Sequence, residues 1–144
     1  MIKTISEVLK DFSEATTEED RINVLRKNNT KTLRKVLNCV FNPDITFTVE
    51  RWPNFKISDV PAGVTYSDLH REMDRLYLFV NNHPKRPQTL TEKRSEEILI
   101  QILEMMTEGD ALVLLNMFNK NLKVSGLTKE LVEKALPGFF AETI

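Results

Sequence analysis

The sequence predicts an all-α protein, an irregular bundle of about seven helices with an extended insert near residues 42–63. Apolar residues recur at spacings of three and four over most of the 144-residue chain. That spacing places them on one face of a helix. Hydroxyl residues precede several of these stretches, as helix N-caps do. Residues 45–50 instead alternate apolar and polar side chains, which indicates an extended segment.

The first third of the chain predicts three short amphipathic helices. Thr4 or Ser6 caps the first helix. A threonine followed three residues later by an acid, near Thr17, begins the second, and acids in a first turn suit the helix dipole. Thr30 begins the third helix, whose apolar stripe runs to Phe41. An asparagine pair and a proline then end the second and third helices.

The insert predicts a connection rather than part of a sheet. Trp52–Pro53 and residues 60–63 contain loop-forming residues. One extended segment with no obvious partner strand cannot form a sheet. We therefore expect it to pack on the helices through Phe47, Trp52 and Phe55.

Four more helices are predicted after the insert, and the longest runs from Thr91 to about Met106. Proline and glycine at positions 137–138 end the last one. The remaining features are a cap at Ser67–Asp68, a break or kink at Gly109–Asp110, a helix over Ala111–Phe118 and a cap at Thr128.

Composition and charge indicate one helical domain over residues 1–144. A chain of this length buries roughly 70% of its surface on folding, which suffices for a core. Its 20 Lys and Arg nearly balance 21 Asp and Glu. DNA-binding domains usually carry a basic surplus, so this balance argues mildly against strong nucleic-acid binding without excluding a local basic face. The single Cys39 excludes an internal disulfide and fits a reducing cytosol. No apolar stretch approaches the roughly 20 residues that span a bilayer, so we expect a cytoplasmic protein.

Catalytic and metal-binding patterns are absent from the sequence. The four glycines match no nucleotide-binding motif. His70 and His83 are the two histidines, and with one cysteine they give no metal-ligand spacing. His70 shares a helical face with Asp74 and could be an oriented base, but a solvated pair is the simpler interpretation. We expect no enzyme activity, no metal and no cofactor.

Two groups of basic residues are candidates for contacting phosphates. Arg34 and Lys35 belong to a group on the second and third helices. Lys120, Lys123 and Lys129 belong to a group around the last link between helices. The alternative interpretation of each group is a solvated helix face.

The segment from Ala111 to Val132 resembles part of the N-terminal domain of ATP-dependent DNA ligases. There, a leucine-rich, basic helix end leads through a short glycine-containing turn to a helix that begins with Ser or Thr. The helix at 32–37, Trp52–Pro53 and the ending at 136–140 are similar to the phage version of that domain. One departure is Ser125, which stands between the apolar Val124 and Gly126.

The ligase resemblance implies a helical domain that holds duplex DNA across the minor groove. The ligase lysine motif for nucleotidyl transfer and the oligonucleotide-binding barrel are absent, so the chain cannot be a ligase by itself. The implied DNA-binding residues are Arg34, Lys35, Lys120, Lys123, Ser125, Gly126, Thr128 and Lys129.

The whole chain also resembles a family of small uncharacterised proteins of T-even-like tailed phages. The shared features are the helix–extended–helix layout and an ending that reads Lys-Glu-Leu-Val followed by Pro-Gly, here at 129–132 and 137–138. This resemblance implies phage origin and a location in the host cytoplasm.

Two hypotheses follow from the sequence. The first is a non-catalytic phage accessory protein that binds duplex DNA. The second is a protein-interaction module that modulates a host or phage replication or transcription enzyme, because fold does not fix function. An enzyme that uses His70 is a distant third.

Overall fold

Threonine side chains begin six of the helices in the computed structural model, which describes residues 3–57 and 65–142. Each accepts a hydrogen bond from a backbone N–H in the first helical turn, which otherwise has no partner. Within the described residues the chain is helical and contains no strand, so the predicted all-α class is confirmed. The helices are α1 Ile5–Glu14, α2 Glu18–Lys27, α3 Lys31–Phe41, α4 Leu69–Glu72, a 3₁₀ helix Met73–Phe79, α5 Glu92–Glu104, α6 Glu108–Phe118, α7 Lys129–Ala135 and α8 Phe139–Glu142.

The most buried helix is α6, which packs against α1 and α3. Leu114, Leu115 and Met117 of α6 are fully buried. Apolar residues of α1, α3 and α5 belong to the same core, as their helical spacing predicts. None of the described helices is both long and apolar enough to cross a membrane.

The predicted break or kink at Gly109–Asp110 is wrong, because both residues lie inside α6. The chain breaks earlier, after α5, and Thr107 caps α6 by accepting a hydrogen bond from the Asp110 backbone at 3.2 Å. Gly109 lies inside the first turn of α6, where α1 approaches closely. A Cβ atom at this position would stand 2.6 Å from the Ser6 hydroxyl oxygen. Close packing, and not a turn, therefore requires the glycine.

Asp110 joins the beginnings of three helices. Its side chain is completely buried. One carboxylate oxygen accepts from the backbone N–H of Ser6 in α1 at 3.1 Å, and the other accepts from Leu69 in α4 at 3.3 Å. Asp110 itself lies in the first turn of α6. Burial raises the pKa of this carboxyl, while the backbone donors oppose that rise.

The insert forms neither helix nor strand over residues 42–57, as expected for a connection, although residues 43–44 form a turn; residues 58–63 lie outside the described part of the chain. It has an isolated antiparallel bridge between Phe47 and Val80. The Phe47 ring packs 5.1 Å from that of Phe118, and Phe55 is half-buried against the core. Trp52 remains 43% exposed, which is more than a side chain packed on the helices would show.

Near the end of the chain, α7 packs against α2. Arg26 at the end of α2 donates hydrogen bonds to the Ala135 and Lys134 carbonyls at the end of α7, at 2.9 and 3.1 Å. Lys134 forms an ion pair with Glu18 at 2.8 Å. The guanidinium thus satisfies carbonyls that a helix end leaves without partners. These contacts hold α7 against α2.

Candidate nucleic-acid interface

The link between α6 and α7 begins with a helix C-cap that has a lysine where glycine is usual. The Lys120 N–H bonds to the Met117 carbonyl at 2.9 Å, and the Asn121 N–H bonds to the Asn116 carbonyl at 3.2 Å. This is the Schellman pattern, in which the residue after the cap adopts a left-handed conformation. Lys120 has φ +60°, a conformation that costs an L-residue about 1–2 kcal/mol.

The Lys120 side chain explains why that conformation is kept. Its ammonium group donates to the carbonyls of Asn42 and Ile45 at 2.7 and 2.6 Å, and to that of Cys39. These carbonyls lie at and just beyond the end of α3, where a positive charge is favourable. Burial lowers the pKa of Lys120 and raises that of the Cys39 thiol to about 11. A phosphate contact by Lys120 would have to break these hydrogen bonds.

Arg34 and Lys35 are adjacent in α3 but face different neighbours. Lys35 forms an ion pair with Asp74 of the 3₁₀ helix at 2.7 Å. Arg34 lies over the Phe139 ring of α8 at 5.6 Å and donates to Asn29 at 3.0 Å. The structure therefore brings Arg34 towards the C-terminal helices and does not bring Lys35 there.

Lys123 and Lys129 are exposed on either side of the turn that links α6 to α7. The Lys123 ammonium lies 5.8 Å from the centre of the Trp52 ring, and that of Lys129 lies 5.1 Å from Phe140. Across the described residues, neither lysine has an ion pair. The Phe139 and Phe140 rings are 4.9 Å apart, so Lys129 and Arg34 each contact one ring of the same aromatic pair.

Gly126 gives the turn its shape. Its φ of +83° is a conformation that L side chains rarely adopt. A Cβ atom here would lie 2.5 Å from the Arg21 guanidinium, so α2 also packs directly on the turn. Ser125 is exposed. The Thr128 hydroxyl accepts from the Leu131 N–H at 3.1 Å as the cap of α7 and keeps its own hydrogen for another acceptor.

Sequence reasoning did not assign Arg21 to the turn. A basic residue in α2 gives no sign in the sequence that it contacts a glycine about a hundred positions away. The structure places its guanidinium 5.9 Å from the Phe12 ring as well. The Arg21 guanidinium therefore lies between an aromatic ring of α1 and the glycine of the turn.

A comparison with models of protein families shows to which family the chain belongs. The model of DUF6433, a family of unknown function, matches residues 8–124. The chain belongs to the DUF6433 family. No curated protein matches it. The matched range of DUF6433 contains Arg34, Lys35, Lys120 and Lys123 and ends just before Ser125, Gly126, Thr128 and Lys129.

In this DUF6433 protein, the His70 ring contacts Thr32 and Lys3 and not Asp74, with which the sequence predicts a shared helical face. Its ring nitrogens lie 2.8 Å from the Thr32 hydroxyl and 2.9 Å from the Lys3 carbonyl. Asp74 pairs with Lys35 instead. The two residues therefore do not form an oriented base. Over residues 3–57 and 65–142, no three His, Cys, Asp or Glu side chains lie close enough together to hold a metal ion.

Proposed function

We propose that this protein is a non-catalytic phage accessory protein that binds duplex DNA with the turn between α6 and α7. The observation that carries the proposal is the exposure of Lys123 and Lys129 beside a turn shaped by Gly126. The resemblance of the sequence to the ligase N-terminal domain and to T-even-like phage proteins supports it. The proposal includes phage origin and a ligase-like arrangement of helices.

The available charges set the expected strength of binding. Lys35 and Lys134 are paired with acids, and Lys120 is bound to carbonyls. Two exposed lysines neutralise about two phosphates, so log K should fall with log salt at a slope of about −2. Affinity should lie in the range of non-specific binding, with Kd of about 10⁻⁴–10⁻⁶ M and little sequence preference.

The test is fluorescence anisotropy of a labelled random-sequence duplex at low and at physiological salt. The double variant Lys123→Glu and Lys129→Glu should bind at least about tenfold more weakly, and the salt slope should lose about one unit for each lysine. Lys120 is left unchanged, because its replacement would disturb the end of α3.

The matched control reverses two other exposed lysines, Lys85 and Lys93. Lys85→Glu with Lys93→Glu changes the net charge equally and should leave the salt slope unchanged. Equal weakening by both double variants would mean that only net charge matters and would contradict a contact at the turn. The absence of duplex binding by the unmodified protein at low salt would do the same.

A second candidate function, a protein-interaction module that modulates a host or phage replication or transcription enzyme, is favoured by exposed apolar side chains. Tyr66 is 85% exposed, and Ile57, Trp52 and Leu112 are also exposed. Affinity purification after nuclease treatment separates the two candidates. Partners held through DNA are lost under nuclease, whereas a directly bound enzyme remains.

A further inference from the structure

A groove of about 870 Å³ lies between the insert and the first two turns of α5. Residues 47–54 of the insert form one side, and Glu92, Ser95, Glu96 and Leu99 of α5 form another. Its volume is near the upper end of the range for small-molecule sites, about 300–1,000 Å³. Eight consecutive residues of the insert line one side, an arrangement that suits an elongated ligand.

Carboxylates dominate the α5 side of this groove. Glu92 and Glu96 are four positions apart and thus share a helical face. Their neighbour Glu97 is paired with Arg94 at 3.2 Å. By contrast, neither groove glutamate has an ion pair within the part of the chain that the structure describes.

The basic residues of the groove balance these acids only in part. Glu50 adds a third carboxylate to the lining, against the guanidinium groups of Arg51 and Arg86. Arg86 donates its Nε–H to the Leu78 carbonyl at 2.9 Å, which fixes that side chain. The balance favours a cationic ligand over a phosphate chain.

Ser95 gives an independent indication of a ligand. The residue is only 7% exposed and lines the groove. Among the described residues its hydroxyl group has no hydrogen-bond partner. Because this hydroxyl opens into the groove, it is available to donate to or accept from a molecule bound there.

We propose that this groove binds an extended basic segment of a partner protein. Glu92 and Glu96 bind a lysine or arginine side chain of that segment. The Ser95 hydroxyl bonds to the backbone of the bound segment, and the exposed face of Trp52 packs against that segment. The proposal develops the second candidate function and does not depend on DNA binding at the turn.

Trp52 makes a direct test possible, because it is the only tryptophan of the chain. The full chain is titrated with a decapeptide of alternating lysine and threonine while tryptophan emission is followed. A peptide of alternating glutamate and threonine is the matched probe. Saturable binding of the lysine peptide is expected, with Kd of about 100 µM or tighter. The glutamate peptide should leave the emission unchanged.

Variants assign the binding to the groove. Glu92→Gln with Glu96→Gln should raise the Kd of the lysine peptide about tenfold, and Ser95→Ala about threefold. The control Glu14→Gln with Glu97→Gln removes two carboxylates elsewhere and should leave the Kd unchanged. Circular dichroism checks that each variant keeps its helices.

Three outcomes would overturn the proposal. The lysine peptide produces no saturable change, the groove variant binds it as tightly as its control does, or oligothymidylate saturates the emission more tightly than the lysine peptide. Because Lys123 lies 5.8 Å from the Trp52 ring, oligothymidylate is tested on the variant Lys123→Glu with Lys129→Glu, which lacks the lysines of the turn. Tight binding there would assign the groove to single-stranded nucleic acid, and the groove variants keep both lysines of the turn, so the two proposals can fail separately.

Discussion

Replacement of Asp110 by alanine is expected to lower the free energy of unfolding by about 3 kcal/mol. The variant leaves the backbone N–H groups of Ser6 and Leu69 without their acceptor. Each buried N–H that loses its partner costs about 1–3 kcal/mol. Urea denaturation at neutral pH, followed by circular dichroism, measures the difference.

The control for this prediction lies in the same helical turn. Glu108 is an exposed acid of α6, and Glu108→Ala should change stability by no more than about 0.5 kcal/mol. Asp110→Asn keeps one side-chain oxygen as an acceptor and should fall between the two. If Asp110→Ala and Glu108→Ala were equally stable, Asp110 would not join the helices.

Lys120→Met is expected to destabilise the protein by about 2 kcal/mol. Methionine has a similar length, but it cannot donate to the carbonyls of Asn42 and Ile45. Hydrogen bonds from a charged donor contribute about 1.5–3 kcal/mol. Thermal and urea unfolding both report the loss.

Lys123→Met is the control because Lys123 is also a lysine in the left-handed conformation, with φ +58° against +60° for Lys120. Its side chain is exposed, so the substitution should leave stability within about 0.5 kcal/mol of the original. Both substitutions keep the same backbone preference, and the difference isolates the ammonium contacts. Equal effects of the two variants would refute the structural role of Lys120.

Helix beginnings could be predicted from the sequence because capping is a local interaction. Thr30 and Thr91 cap their helices as predicted, and each contact spans only three residues. At Gly109 the same reasoning failed. Glycine can mark a break, but here it accommodates Ser6, which is distant in the sequence.

The surroundings of the candidate DNA-binding residues depend on contacts that sequence reasoning does not reach. Lys120 meets carbonyls 75 or more positions away, so it could not be told apart from the exposed Lys123. The separation of Arg34 from Lys35 could have been predicted from their adjacent positions in one helix. Consecutive helix residues point about 100° apart, so one surface rarely uses both.

The link made by Asp110 also constrains how the chain folds. The Ser6–Asp110, Arg26–Ala135 and Glu18–Lys134 contacts each join residues more than a hundred positions apart. Proteins with such distant contacts fold more slowly than bundles of helices that pair with their sequence neighbours. On the ribosome, α1 emerges long before α6 supplies the carboxylate that its first turn requires. Native assembly therefore waits until most of the chain has been synthesised.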